Sequence, residues 1–146
     1  MSKKLLNFIK KVRKNDIYNK DRYTSVIDKY TNGECALLVG YLFEENNSEG
    51  KHVDIDIIPY NEDGEEDYDS RIYHSVFFFE DYYYDINGRN KTIDELILKL
   101  PYYDKDNMIL SISEWDIEPD NNYYEAIPER IKTPIKPSRQ NLINKN

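Results

Sequence analysis

The sequence predicts an α+β domain in which N-terminal helices pack on an antiparallel β-sheet. Three observations lead there. Apolar residues recur at helical spacing through the first 45 residues, and from Lys51 an alternation of period two replaces them. Further on, two runs of strand formers, Val76-Phe-Phe-Phe79 and Tyr82-Tyr-Tyr84, flank a two-residue polar break at Glu80-Asp81. Helices first and strands afterwards is the order of an α+β fold.

Taken in order, residues 3–13 form an amphipathic helix with Leu5, Ile9 and Val12 on one stripe and Phe8 beside them. It is too short to favour a membrane surface, so docking on the domain's own core is expected. A second helical segment covers about Asp21 to Tyr30. The stretch Thr31-Asn-Gly-Glu-Cys35 then turns the chain into an apolar helix that reaches Glu44 or Glu45 and ends at Asn46-Asn-Ser-Glu-Gly50. Thr31 or Asn32 is the expected N-cap, and Gly33 lets another group approach the backbone closely.

Lys51 to Ile58 reads as a strand with Val53, Ile55 and Ile57 on one face. Pro59 to Ser70 is an acidic loop, with Glu65, Glu66 and Asp67 among its carboxylates. Its spacing does not match the calcium loop of an EF-hand, so it is expected to be solvated. Arg71 to Glu80 and Asp81 to Asn87 form the hairpin, and Asn87-Gly88 is a further turn signal. Thr92-Ile-Asp-Glu95 is a capping box opening a short helix to about Leu100, before Pro101. Asn107 to Ser113 is another strand, whereas Trp115 to Ile131 shows no clear period. Residues 1–131 thus read as one domain, and 132–146, with Pro134 and Pro137, as a basic, flexible tail.

The bulk chemistry excludes several classes. At 146 residues the chain can bury a sizeable core. Its one cysteine rules out an internal disulfide, and one cysteine with two histidines leaves little for a metal centre. No cofactor or metal is implied. No apolar run spans a membrane and no signal peptide opens the chain, so the cytoplasm is the expected compartment. Charge is segregated. Lys3, Lys4, Lys10, Lys11, Arg13 and Lys14 at one end, and Arg130, Lys132, Lys136, Arg139 and Lys145 at the other, leave −19 on residues 15–129 against −8 for the whole chain. That body should repel nucleic acid and suit a basic protein partner.

The candidate chemistry centres on Cys35. A thiol in the first turn of a helix feels unpaired N–H groups and the positive end of the helix dipole, which favour thiolate. Parity supplies its partners. Across a hairpin with an even loop, residues of opposite parity share a face, so His74 and Asp85 point the same way, within about 5–8 Å at Cβ. The Cys35 helix is expected to pack over that face. A thiol, an imidazole and an acid make a nucleophile, a base and an orienter. Asn87 is a second candidate orienter on the same face.

Gly33-Glu34-Cys35, His74-Ser-Val-Phe-Phe-Phe79 and Tyr84-Asp-Ile-Asn-Gly88 together resemble the papain-like fold of cysteine peptidases, amidases and transglutaminase-like proteins, including the compact NlpC/P60 type. The resemblance covers roughly residues 31–100. It implies a cysteine opening a buried helix on an antiparallel sheet, a histidine starting one strand and an Asp or Asn on the next. It also implies thiol hydrolysis or acyl transfer at an amide through Cys35, His74 and Asp85, with a protein or peptide amide as substrate. Many papain-like enzymes place a Gln before the cysteine, but the only Gln here is Gln140. A second oxyanion donor must therefore come from the backbone or from Asn32.

Each residue also has an ordinary structural reading. Cys35 with Leu38, Val39 and Leu42 makes an apolar stripe, where free cysteine is commonly a small core residue. Asp85-Ile-Asn-Gly88 can be turn chemistry alone. On that reading the chain is a non-catalytic acidic binding protein, of inhibitor or immunity type, that blocks a basic surface.

Overall fold

A computed structural model describes residues 3–100, 104, 106–118 and 124–132. Five helices and a five-stranded antiparallel sheet make up the described fold, which is α+β. The expected tail lies outside the described residues from 133 onward, and with it Gln140.

Helix α1 (Lys4–Asn15) buries Leu5, Phe8, Ile9 and Val12, the stripe the spacing predicts. Helix α2 is Val26–Asn32, shorter and later than expected, because Ser25 takes the N-cap and accepts the Asp28 N–H. Thr31 and Asn32 therefore end α2 and do not open the next helix. Helix α3 (Cys35–Glu45) follows, with Glu34 at its N-cap making no side-chain cap bond. The hydroxyl of Tyr23 lies against Gly33, where a Cβ would sit 2.3 Å from it. Asp16 fastens this layer: its fully buried carboxylate accepts from Lys29 at 3.1 Å, Arg130 at 2.6 Å and Tyr30.

The sheet runs in the order β4-β3-β2-β1-β5, from β1 (Lys51–Pro59), β2 (Ile72–Phe79), β3 (Tyr82–Asp85), β4 (Gly88–Asn90) and β5 (Met108–Asp116). Two short helices complete the fold, α4 (Ile93–Ile97), capped by Thr92, and α5 (Glu129–Lys132). Glu80 and Asp81, at φ 47° and 69°, make the two-residue turn joining β2 to β3, and Phe79 pairs with Tyr82.

Two apolar clusters lie on opposite faces. Phe77, Tyr84 and Ile86 pack with α1, α2 and α3 in the larger one. Val53, Ile55, Ile57 and Val76 pack with Leu96 and Ile97 of α4 in the smaller. This corrects one expectation. His74 shares its parity with Val76 and pairs with Ile55, so it points to the α4 face, whereas α3 covers the other.

Candidate active site

Sequence separation gives no reason for Cys35 to meet His74 across the sheet. The meeting comes from an edge. Pairing of β2 with β3 ends at Phe77–Tyr84, and the chain then turns away at Ile86-Asn87. Residue 75 is thus left with an N–H directed away from β1 and no strand to receive it. Cys35, at the first turn of α3, fills that slot: Ser75 N–H donates to Sγ at 3.3 Å. The thiol so reaches the rim of the strand from one face, and the ring of His74 reaches it from the other.

Extending the register, Asp85 falls opposite Val76 and diagonal to His74, one of the two placements parity allows. Nε2 of His74 lies 3.0 Å from Oδ2 of Asp85. The other carboxylate oxygen, Oδ1, accepts the backbone N–H of Asn87 at 2.9 Å. Asn87 therefore touches the site through its backbone, steadying Asp85 and not His74. With Nε2 engaged, Nδ1 is the remaining ring nitrogen, buried and without a regular hydrogen bond among the described residues. The thiol is close enough to the ring for the two to act on each other's protonation, without a regular hydrogen bond to Nδ1 among the described residues.

Burial alone would raise the thiol's pKa and lower that of the imidazole. For Cys35 the burial effect is outweighed by the hydrogen bond and charge of His74 and by the Ser75 N–H, and the value falls below that of a free thiol. For His74 it is outweighed by Asp85 and then by Cys35, and the value rises to about 9. Both directions favour a thiolate–imidazolium pair. His74 is 0 % exposed, Asp85 2 % and Cys35 9 %, so the thiol belongs to the most exposed of the three residues.

Asn32 is not part of this cluster. It closes α2 and its side-chain amide donates to Asp28, so the proposed oxyanion role of that side chain is corrected. What remains for that role are the first N–H groups of α3, which Glu34 leaves without a side-chain cap.

Sequence reasoning missed a second polar group behind the strand. Ser75 Oγ donates to Asp54 Oδ1 at 2.5 Å, the same oxygen lies 2.6 Å from His52 Nε2, and His52 Nδ1 lies 2.6 Å from the Tyr124 hydroxyl. A signal was present. With Val53, Ile55 and Ile57 on one face of β1, alternation puts His52 and Asp54 together on the other. Tyr124 also lines a concavity of about 250 Å³ with Gly40, Phe43 and Glu44, farther along α3 from Cys35.

No protein-family model, curated protein or solved structure matches the chain. No helix among the described residues is long and apolar enough to cross a membrane.

Proposed function

We propose that this chain is a thiol hydrolase or acyl-transfer enzyme of papain-like type that acts on an amide bond. The observation that carries the reading is the buried line Cys35–His74–Asp85, with Nε2 held at 3.0 Å by the carboxylate and the thiol beside the same ring. Asp85 fixes the tautomer by accepting from Nε2–H, which leaves the Nδ1 lone pair to take the thiol proton. The thiolate attacks the carbonyl carbon, forming a C–S bond and an oxyanion that N–H groups at the start of α3 stabilise. The imidazolium then returns the proton to the amide nitrogen, the C–N bond breaks, and a thioester remains for water or an amine to resolve.

Iodoacetamide tests this directly, because Cys35 is the only cysteine in the chain. Labelling at pH 6–7 should outrun that of a free thiol, and His74→Ala should slow it about tenfold or more. Labelling at the free-thiol rate, or none before unfolding, would end the enzyme reading.

A second reading has one observation in its favour. Residues 111–116 of the outer strand β5 are exposed, and they include Glu114, Asp116 and the half-exposed Trp115. Such an edge suits a basic partner, and a non-catalytic acidic binding protein would need nothing more. An unreactive Cys35 together with tight, salt-sensitive binding to a basic protein would favour it.

A further inference from the structure

We propose that the outer edge of β5 pairs with the same edge of a second copy of this chain. The two strands run antiparallel about a two-fold axis through Ile112, making one sheet across a dimer. Such pairing is independent of the chemistry of Cys35. The direction of the backbone groups fixes where it can occur. The Tyr60 N–H donates to the Asn107 carbonyl at 2.8 Å, so the pair just beyond Pro59–Met108 is a hydrogen-bonded one. Counting along β5, the backbone groups of Ile109, Ser111, Ser113 and Trp115 face β1, and those of Leu110, Ile112 and Glu114 face outward. The Ser75 N–H, directed away from β1, gives the same phase, since its partner Asp54 then turns its own backbone groups to Ser113. No described residue takes up the outward groups of Leu110, Ile112 and Glu114.

The two edges of the sheet are unlike. β4 has three residues, and its Gly88 and Asn90 are buried. β5 has nine, pairs with β1 without a bulge, and carries no Pro, Lys or Arg to deter a further strand. Both faces of residues 111–116 are exposed, Ile112 by 50 % and Trp115 by 46 %. A bare, regular edge of this length is a template for another strand, and this one complements itself. With Ile112 opposite the partner's Ile112, Ser111 faces the partner's Ser113, Trp115 the partner's Ile109 and Glu114 the partner's Leu110. Outward-facing residues then meet outward-facing residues, as a hydrogen-bonded ladder requires. Glu114 and the partner's Glu114 stand about 13 Å apart along the strand, beyond the screening length of roughly 8 Å. An axis through Ser113 would set them diagonal, and one through Glu114 directly opposite, where like charges repel. Lys51 pairs with Glu114 at 3.1 Å and offsets its charge. On the α4 face, Ile112 and its twin extend the row of Met108 and Leu110 that packs on the smaller core cluster.

Sedimentation velocity of the full chain over a concentration series tests the pairing. A dimer should form as the concentration rises. It should strengthen with added salt, because each copy carries −8 and screening reduces their repulsion. Ile112→Pro deletes an outward N–H but no bond to β1, the position at which an edge strand tolerates proline. It should weaken the dimer about tenfold or more, since the two-fold removes the donor from both copies. Cross-linking reads the register, in a Cys35→Ser background with diamide as oxidant. Ile112→Cys should form a disulfide with its twin, whereas Ser111→Cys and Ser113→Cys should link only when the two variants are mixed. A chain that stays monomeric at every concentration overturns the proposal, and so does a dimer that Ile112→Pro leaves unchanged. Cross-linking of Ser111→Cys alone as fast as in the mixture overturns the axis at Ile112. An alternating Lys-Val peptide that binds the monomer and is released by salt would give the edge a basic occupant in place of a second copy. Should Ile112→Pro not fold, the cross-linking pattern decides alone.

Discussion

His74 and Asp85 are held together at 3.0 Å, both side chains buried, on the face of the sheet that α3 does not cover. A buried pair of this kind is costly to break, because the surviving partner is left charged or unsatisfied. Asp85→Ala should lose about 3–5 kcal/mol by urea unfolding, and Asp85→Asn, which keeps an acceptor, clearly less. Equal losses would show that the carboxylate charge is not what holds the ring.

The same pair sets a pH dependence. With its value raised from 6.5 to about 9 on folding, His74 stabilises fully below pH 6.5 and loses that contribution as the pH rises through 9. Cys35 works in the opposite sense, since a value lowered from 9.0 gives stability that is present above pH 9 and lost as the pH falls. In Cys35→Ser the histidine contribution remains, reduced to the part that Asp85 supplies. The urea midpoint of that variant should fall as the pH rises above 6.5, and a flat profile would contradict the assigned direction.

Glu80 and Asp81 occupy left-handed conformations, at φ 47° and 69°, which disfavour Glu and suit Asp less well than Asn or Gly. Replacing them with Asn-Gly should raise stability by about 1 kcal/mol. The register is unchanged, so the labelling rate of Cys35 should stay within error. Reduced stability would show that the two acidic side chains hold the turn in some other way.

Gly50 lies at φ 132°, and a Cβ there would meet Phe77 Cζ at 2.2 Å. Backbone strain and a clash with a buried ring act together, so Gly50→Ala should lose at least about 2 kcal/mol. Gly64, at φ 77° with nothing within 4 Å, is the control. Gly64→Ala should cost about 1 kcal/mol, from strain alone. Thermal unfolding of the two variants side by side checks the difference.

Asn32→Ala removes an exposed side chain bonded to Asp28 at the end of α2. It should leave the thiol labelling profile unchanged and shift stability by less than about 1 kcal/mol. A slower, His74-independent profile would return Asn32 to the site.

Local pattern alone determined much of this protein. The period of the apolar residues fixed the helices from Lys4 and from Cys35, and the strand from Lys51. Parity across a two-residue turn put His74 and Asp85 on one face before any contact was known. The start of α2 lies later than the expected Asp21, because Ser25 is the residue that accepts a helical N–H, and Thr31, read as the cap of the next helix, donates back to the Ile27 carbonyl inside α2. Tertiary structure decided the rest. Periodicity says which residues share a face but not which face a helix will cover, so α3 on the far side of the sheet from His74 could not be read from the chain. Nor could the slot at Ser75. It exists because β2 and β3 stop pairing at Phe77–Tyr84, and a backbone N–H left open at a strand edge takes whatever acceptor the fold brings, here a thiol 40 positions away. The tie from Asp16 to Arg130, 114 positions apart, and that from His52 to Tyr124, 72 apart, have the same origin. Buried polar groups must find partners, and only the closed fold says which are near enough.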